Sequence, residues 1–501
     1  MKARQLGVVA AGHAISASVG ADVLGAGGNA VDAAIASMFA SFACEPLLTG
    51  LGAGGYMLVV APGEAPTLLD FSVEAPGRGT DAAARGELIP VHVSFGDATQ
   101  TFNVGPASVG TFGMAAGICE AARRFGRAPL AELAAPAARL AREGVALNRQ
   151  QAYVVEILEM TINTTAEAAA LYAPGGRLLR EGDLLVQPEL ADALERLGAE
   201  GARPFYAGDI GAAVVDWLAA RGGRVTAEDL RAYRVLDREP LRVGYRGREV
   251  LTNPPPAAGG ILIAFALALL DAGAPPPSLA QIVAVMERSQ SERTAAFLDG
   301  LDKPGFVDEF LAGSSGRLGS TTHISVLDRE GWACAVTASV GSASGVIVPG
   351  TGVHLNNMLG EQDLNPLGFH RHAPGRRLPS MMSPTIVLRD GVPELAVGSA
   401  GSNRIRSAIL QTIVRCIDEG LRAQEAVDAP RVHYEDGVVY AEPGIDVGAL
   451  EAAGFEVSAF HERNLFFGGA QAAAREPDGS FSGGGDPRRG GAAVVVVDER
   501  P

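Results

Sequence analysis

The sequence predicts a mixed α/β protein in which sheets and helices form separate layers. Three stretches carry that expectation. From Asn29 to Phe42 apolar and small residues recur at helical spacing. Residues 115–235 alternate Ala/Leu/Arg-rich helical stretches with glycine breaks. Thr322 to Leu327 and Trp332 to Val340 alternate as strands across an Asp328-Arg329-Glu330-Gly331 turn. Strand-like runs at Thr385 to Leu388 and Ala492 to Val497, with a helix around Ile405 to Glu419 between them, complete the pattern.

In chain order, Lys2 and Arg4 precede only the short apolar stretch Val8 to Ala11 before His13, less than a secretory signal requires. Gly27-Gly28 with Asn29 supplies a turn and a cap for the first predicted helix, which ends near Glu45-Pro46. Gly50-Leu51-Gly52-Ala53-Gly54-Gly55 satisfies the letter of a dinucleotide fingerprint, but a helix precedes it and the β-like run Tyr56 to Val60 follows, the reverse of what that fingerprint needs. Pro129 to Glu143 and Leu190 to Leu197 belong to a helical layer. Asn253-Pro254-Pro255-Pro256 and Gly259-Gly260 are expected to form a rigid loop outside any regular element, leading into the apolar helix Ile261 to Leu270. That apolar run is about half a bilayer span, so the expected location is cytoplasmic, without a membrane partner. Gly305 to Gly319 is rich in Gly and Ser and is the best candidate for a cleavable linker before the hairpin that begins at Thr321.

Composition narrows the function classes. With 47% hydrophobic and 20% charged residues, the 501-residue chain is an ordinary globular protein large enough for a substantial core, as several domains or one large α/β unit. A net charge of −16 argues against nucleic acid as a partner. Cys44, Cys119, Cys334 and Cys416 form no Cys-x-x-Cys pair and read as buried thiols. Gly-x-Ser-x-Gly, Walker, His-Glu-x-x-His and EF-hand patterns are absent, and His370-Arg371-His372 without companion ligands reads as a solvated loop rather than a metal site.

The unusual segment is Gly319-Ser320-Thr321-Thr322-His323, where the Gly/Ser tract runs into the first strand of the hairpin. Cleavage between Ser320 and Thr321 would place a hydroxyl and a new α-amine on one residue. An α-amine has a pKa of about 8 and can take the hydroxyl proton without any histidine. Taken alone, the two threonines read first as an ordinary β-branched strand start.

Further motifs carry a resemblance over nearly the whole chain. They are Gly27 to Ala34, the Gly50 to Tyr56 glycine run, Tyr245-Arg246-Gly247, Pro254-Pro255-Pro256 with Gly259-Gly260, Thr321-Thr322-His323 and Leu355-Asn356-Asn357. They continue through Pro374-Gly375-Arg376-Arg377, Ser383-Pro384-Thr385, Gly398-Ser399-Ala400-Gly401, Ala429-Pro430-Arg431 and Asp486-Pro487-Arg488. In these the chain resembles the γ-glutamyltransferases. The resemblance implies an N-terminal-nucleophile hydrolase fold, a four-layer αββα sandwich made as one precursor that cuts itself into tightly associated fragments 1–320 and 321–501. It implies acyl transfer from a small-molecule amide to water or an amino acid, with Thr321 as nucleophile, Ser339 assisting it and the Gly401 and Ser402 amides as oxyanion hole. No cofactor is implied.

Substrate contacts depart from the family pattern. An arginine that holds the glutamyl α-carboxylate is replaced by Ser72, and of a serine pair only Ser380 remains, followed by Met381. An asparagine that contacts substrate is replaced by Gly341, whereas Asn356 is retained. Glu361, or Asp363 in a shifted loop, stands where the family holds the α-amino group, and either acid is equally readable as a solvated loop charge. The expected substrate is a glutathione-like γ-glutamyl amide. The alternatives are a divergent acylase or amidohydrolase of the same family, and an unprocessed binding or scaffold relative.

Overall fold

The computed structural model describes residues 4–80, 86–95, 99–292, 297, 301, 321–362, 364–365 and 368–498. The expected linker Gly305 to Gly319, with Ser320 and Asp363, lies outside the described residues.

Two antiparallel sheets stack face to face. The seven-stranded sheet runs in the spatial order Ala492–Val497, Gln5–Ala11 (β1), Thr322–Asp328, Ala333–Ser339, Gly54–Val60 (β2), Thr67–Phe71 (β3) and Leu236–Arg238. The six-stranded sheet runs Phe481–Gly485, Gly469–Arg475, Val392–Ala400, Thr385–Arg389, Arg248–Thr252 and Leu241–Tyr245. Between them lies a thin apolar layer in which Tyr56, Leu58 and Leu68 of the first sheet meet Leu251, Ile386 and Ala396 of the second.

Each outer face is covered by helices, which completes the four-layer αββα sandwich. Ala14–Ala26 (α1) and Ala30–Cys44 (α2) pack on the seven-stranded sheet. Every residue of α2 is buried, as expected of a helix that is apolar or small all round. Its start is written in the sequence: Asn29 and Asp32 form a reciprocal capping box. Helices Ala258–Asp271, Leu279–Ser291 and Arg404–Ile417 cover the other sheet. Residues 114–232 supply the expected helical layer, Met114–Phe125 through Ala227–Ala232, interrupted only by short paired strands at Val145–Ala146 and Leu184–Leu185.

One expectation fails. Gly259 and Gly260 lie inside the first turn of the helix Ala258–Asp271, not in the loop before it. Their role is close approach: a Cβ at 259 would stand 2.5 Å from Ser383 Oγ, and one at 260 would stand 2.7 Å from Asn253 N. The strand begins at Thr322, where its alternation starts, and leaves Thr321 immediately before it. All four cysteines are free thiols, Cys44 and Cys334 buried and the other two partly so. Among the described residues no helix is long and apolar enough to cross a membrane.

Candidate active site

Thr321 immediately precedes a central strand of the first sheet and is 1% exposed. That strand pairs with Ala333–Ser339 in the register Thr322 to Ala338 and His323 to Thr337. Continued by one residue, the register sets Thr321 opposite Ser339, which pairs on its other side with Gly54. Directly opposed residues of an antiparallel pair share a face. Thr321, His323, Thr337 and Ser339 therefore project together into the space between the sheets. His323 is tied on both nitrogens, Nδ1 to Thr337 Oγ1 at 2.7 Å and Nε2 to Ser325 Oγ at 2.8 Å. Burial pushes its pKa down to about 3, so the ring is neutral.

Across the gap, the strand Val392–Ala400 turns through Gly401 and Ser402 into the helix Arg404–Ile417. Both turn residues have positive φ, 111° and 66°. For Gly401 no side chain fits: a Cβ would stand 2.6 Å from Gly468 Cα and 3.3 Å from Arg489 Nη2. Ser402 adopts the left-handed conformation at a cost of about 1 kcal/mol or more. The turn thus presents consecutive backbone N–H groups at a helix N-terminus, a setting that favours negative charge.

The loop after Ser339 holds the remaining candidates. Ser339 Oγ accepts from Gly341 N at 2.7 Å. A Cβ on Gly341 would stand 2.6 Å from Glu361 Oε1 and closer still to Asn357 Oδ1, so this loop conformation has no room for the family's asparagine. Ser342 N donates at 2.9 Å to both Asn357 Oδ1 and Glu361 Oε1. Glu361 is buried, which removes the reading of a solvated loop charge. Asn356 donates to Gly52 O and Gly110 O and accepts from Gly110 N and Met358 N. These four contacts use the whole capacity of an amide side chain, so Asn356 shapes the site by holding three loops together. Ser380 accepts from Met382 N through Oγ and from Ala258 N and Gly259 N through its carbonyl.

Ser72 is held by protein partners. Its hydroxyl donates to Asp70 Oδ1 at 2.7 Å, and its carbonyl accepts from Arg377 Nη1 and Tyr233 OH, both at 2.7 Å. Arg377 is itself ion-paired to Asp70 and Glu74. The chain neighbour of Ser72, Val73, with Ala75, packs instead with Met358, Leu359, Leu364 and Leu378 in one apolar cluster.

Two groups escaped the sequence reading. Glu45 caps the C-terminus of α2 and meets Thr322 of the strand Thr322–Asp328, and Arg489 lies behind Gly401. The available signal for Glu45 was a carboxylate directly after a helix with no polar face. Among the described residues no group of three or more His, Cys, Asp or Glu is placed to hold a metal ion.

Comparisons with known proteins agree with this geometry. The family model described as Gamma-glutamyltranspeptidase matches residues 16–301 and 304–496. The chain is 33% identical to the Acylase ACY 1 proenzyme of Pseudomonas sp. (strain V22), covering 95% of this chain and 91% of that protein. It is 30% identical to the glutathione hydrolase proenzyme of Bacillus subtilis (strain 168), covering 93% and 90%. Its structure superposes on a crystal structure of cephalosporin acylase from Bacillus halodurans with a TM-score of 0.84 at 26% identity, over 98% and 96% of the two chains.

Proposed function

The chain belongs to the gamma-glutamyltranspeptidase family, and from that premise we propose that it cuts itself between Ser320 and Thr321 and uses Thr321 as an N-terminal nucleophile. The enzyme is a γ-glutamyltransferase-like or acylase-type hydrolase or transferase. The observation that supports the assignment is the close contact of His323 with Gly398 between the two sheets, two residues after Thr321 on one strand and three before Gly401 on the other.

The α-amine freed on Thr321 takes the hydroxyl proton, and Oγ attacks the amide carbonyl. The oxyanion is met by the Gly401 and Ser402 amides, where one donor is worth about 3 to 4 kcal/mol in the transition state. Ser339 Oγ, beside Thr321, orients the hydroxyl. The leaving amine departs with the proton, and water or an amine then attacks the ester and regenerates Thr321.

Fragments 1–320 and 321–501 form one unit in this reading, because each sheet draws strands from both. The nucleophile strand lies between β1 and Ala333–Ser339, and Arg248–Thr252 pairs with Thr385–Arg389. The proenzyme names of the relatives support the same two-fragment form.

The default substrate is a γ-glutamyl amide of the glutathione type. Acylase activity on another acyl group is the second reading, favoured by Ser72 bound to Asp70, by Met381, and by the likeness to Acylase ACY 1 and cephalosporin acylase. Losing a buried charged partner of a carboxylate costs about 2 to 5 kcal/mol. Mass spectrometry of purified protein is expected to show two fragments, the second starting at Thr321, and the variant Thr321→Ala is expected to stay whole. A single 51.5 kDa chain after long incubation would support the scaffold reading instead. Matched γ-glutamyl and glutaryl p-nitroanilides then separate the substrate classes. Absence of product from the γ-glutamyl compound with cleaved enzyme would remove the default.

A further inference from the structure

A strand severed immediately before its first residue loses the covalent tether that ordered its end, and chain ends fray unless something ties them down. The nucleophile of this protein sits at such an end. The strand after it carries side chains on both faces. Thr321 and His323 project between the sheets, so Thr322 projects the other way, towards the helical layer.

There Thr322 meets a built site. Its hydroxyl donates to Glu45 Oε1 at 3.3 Å. Glu45 is 1% exposed, at the C-terminus of the wholly buried helix α2, and Oε2 has no hydrogen-bond partner among the described residues. A third element leaves room for this contact: a Cβ on Gly12, just beyond β1, would stand 2.5 Å from Glu45 Oε1 and 2.9 Å from Thr322 Oγ1. A carboxylate in such a place is costly. Burial pushes the Glu45 pKa up to about 7, against the Thr322 hydrogen bond and the positive charge of Arg489. Arg489 is buried too, its Nε unpartnered, and its side chain lies against the backbone of Gly401 and Gly469. An apolar residue at 45 would avoid the cost of burial, and it would leave the Thr322 hydroxyl without this acceptor.

We propose that Glu45 is a positioning residue for the nucleophile: its carboxylate, carried by fragment 1–320, anchors Thr322 and so holds the new chain terminus at Thr321 in its strand after cleavage. This rests on the assignment of Thr321 as the N-terminal nucleophile. Glu45 touches neither substrate nor the reacting atoms. It acts through one side chain, on the residue next to the nucleophile and from the opposite face of the sheet. Arg489 stands behind the oxyanion turn and biases the same carboxyl towards its charged form, so the two halves of the reacting geometry share one buried electrostatic environment.

The test uses the full-length chain with a p-nitroanilide that the wild type turns over. Cleavage is followed on denaturing gels, and kcat and KM are measured on the cleaved fraction. Misplacing a reacting group by about 1 Å costs on the order of a hundredfold. Glu45→Ala and Thr322→Val are therefore expected to lower kcat about 10- to 100-fold with KM within about twofold. The double variant is expected to be no worse than either single one. Glu45→Gln keeps an acceptor oxygen for Thr322 and is expected to restore kcat to within about threefold of wild type. Wild-type kcat in fully cleaved Thr322→Val, the nearly isosteric change that carries the test even if Glu45→Ala does not fold, would overturn the proposal. So would a Glu45→Gln loss as large as that of Glu45→Ala. A wild type that is not cleaved at Thr321 would instead overturn the assignment of the nucleophile.

Discussion

The imidazole of His323 fills the space that a side chain on Gly398 would need. An ideal Cβ at 398 would lie 2.7 Å from the ring's Cγ and nearer still to Nδ1 and Cε1. This contact joins the two sheets two residues beyond Thr321 and three before Gly401, so it sets their separation beside the proposed nucleophile and oxyanion turn.

Gly398→Ala should therefore act on both stability and chemistry. Overpacking of a tight core costs about 1 to 3 kcal/mol. Because the neutral, doubly bonded His323 ring cannot yield without breaking its contacts to Thr337 and Ser325, the sheets must part. Thermal unfolding of the uncut Thr321→Ala chain, with and without Gly398→Ala, measures the first effect, and kcat in the active background measures the second. An unchanged melting temperature would show that the ring moves freely.

The two residues of the oxyanion turn should respond oppositely. Gly401→Ala drives a Cβ to 2.6 Å from Gly468 Cα and is expected to lower kcat about 100- to 1000-fold, the cost of a lost oxyanion donor. Ser402→Gly removes a left-handed strain at φ 66°. It should gain up to about 1 kcal/mol in denaturant unfolding with activity retained, because the donor is the backbone. A large loss of kcat in Ser402→Gly would give the side chain a role of its own.

Asn356→Ala removes all four backbone contacts of the amide and exposes buried donors and acceptors to no partner. At about 1 to 3 kcal/mol for each buried group left unpaired, it should rank among the more destabilising single changes, which urea unfolding reads directly. A loss confined to KM, with stability intact, would place Asn356 on the substrate instead.

Acid should destabilise the uncut chain well above the carboxylate range. Burial pushes His13, His354 and His433 down to about 4 and His323 to about 3. Their folded pKa values lie below the unfolded value of about 6.5, so their contribution is present above 6.5 and is lost as pH falls towards 4. Glu45 has the opposite sign: raised to about 7, it contributes fully below about 4.5 and loses that contribution as pH rises through 7. Each pKa unit is worth about 1.4 kcal/mol, so these four histidines outweigh the Glu45 carboxyl. The melting temperature of Thr321→Ala should fall between pH 7 and 5, and Glu45→Gln should raise it at pH 8 but not at pH 5. A melting temperature that rises as the buffer is acidified would mean that these rings are charged in the folded protein.

Much of the fold was legible because it is local. The capping box of Asn29 and Asp32 starts α2, the alternation of Thr322 to Leu327 and of Ala333 to Ser339 writes the central hairpin, and the helix Arg404–Ile417 lies almost where its periodicity puts it. The strands Gln5–Ala11, Gly469–Arg475 and Phe481–Gly485 were not legible. They are short runs of Ala, Val, Gly and polar residues, and their strand character comes from neighbours far away in the chain, as when β1 lies between Ala492–Val497 and Thr322–Asp328. Gly259 and Gly260 misled for the same reason: glycine reads locally as a break, whereas here it lets a helix start against Ser383 and Asn253.

By itself the sequence singled out Thr321 after a Gly/Ser tract as the proposed nucleophile, and Ser72 and Met381 as departures from the expected substrate contacts. Those are matters of residue identity and order. The tertiary structure decided where each remaining group is spent. Asn356 is used up on backbone, Ser72 is bound to Asp70, Glu361 is buried at Gly341, and Glu45 meets Thr322. A side chain's partners depend on which strands become neighbours, and no spacing along one strand records the residues of the next.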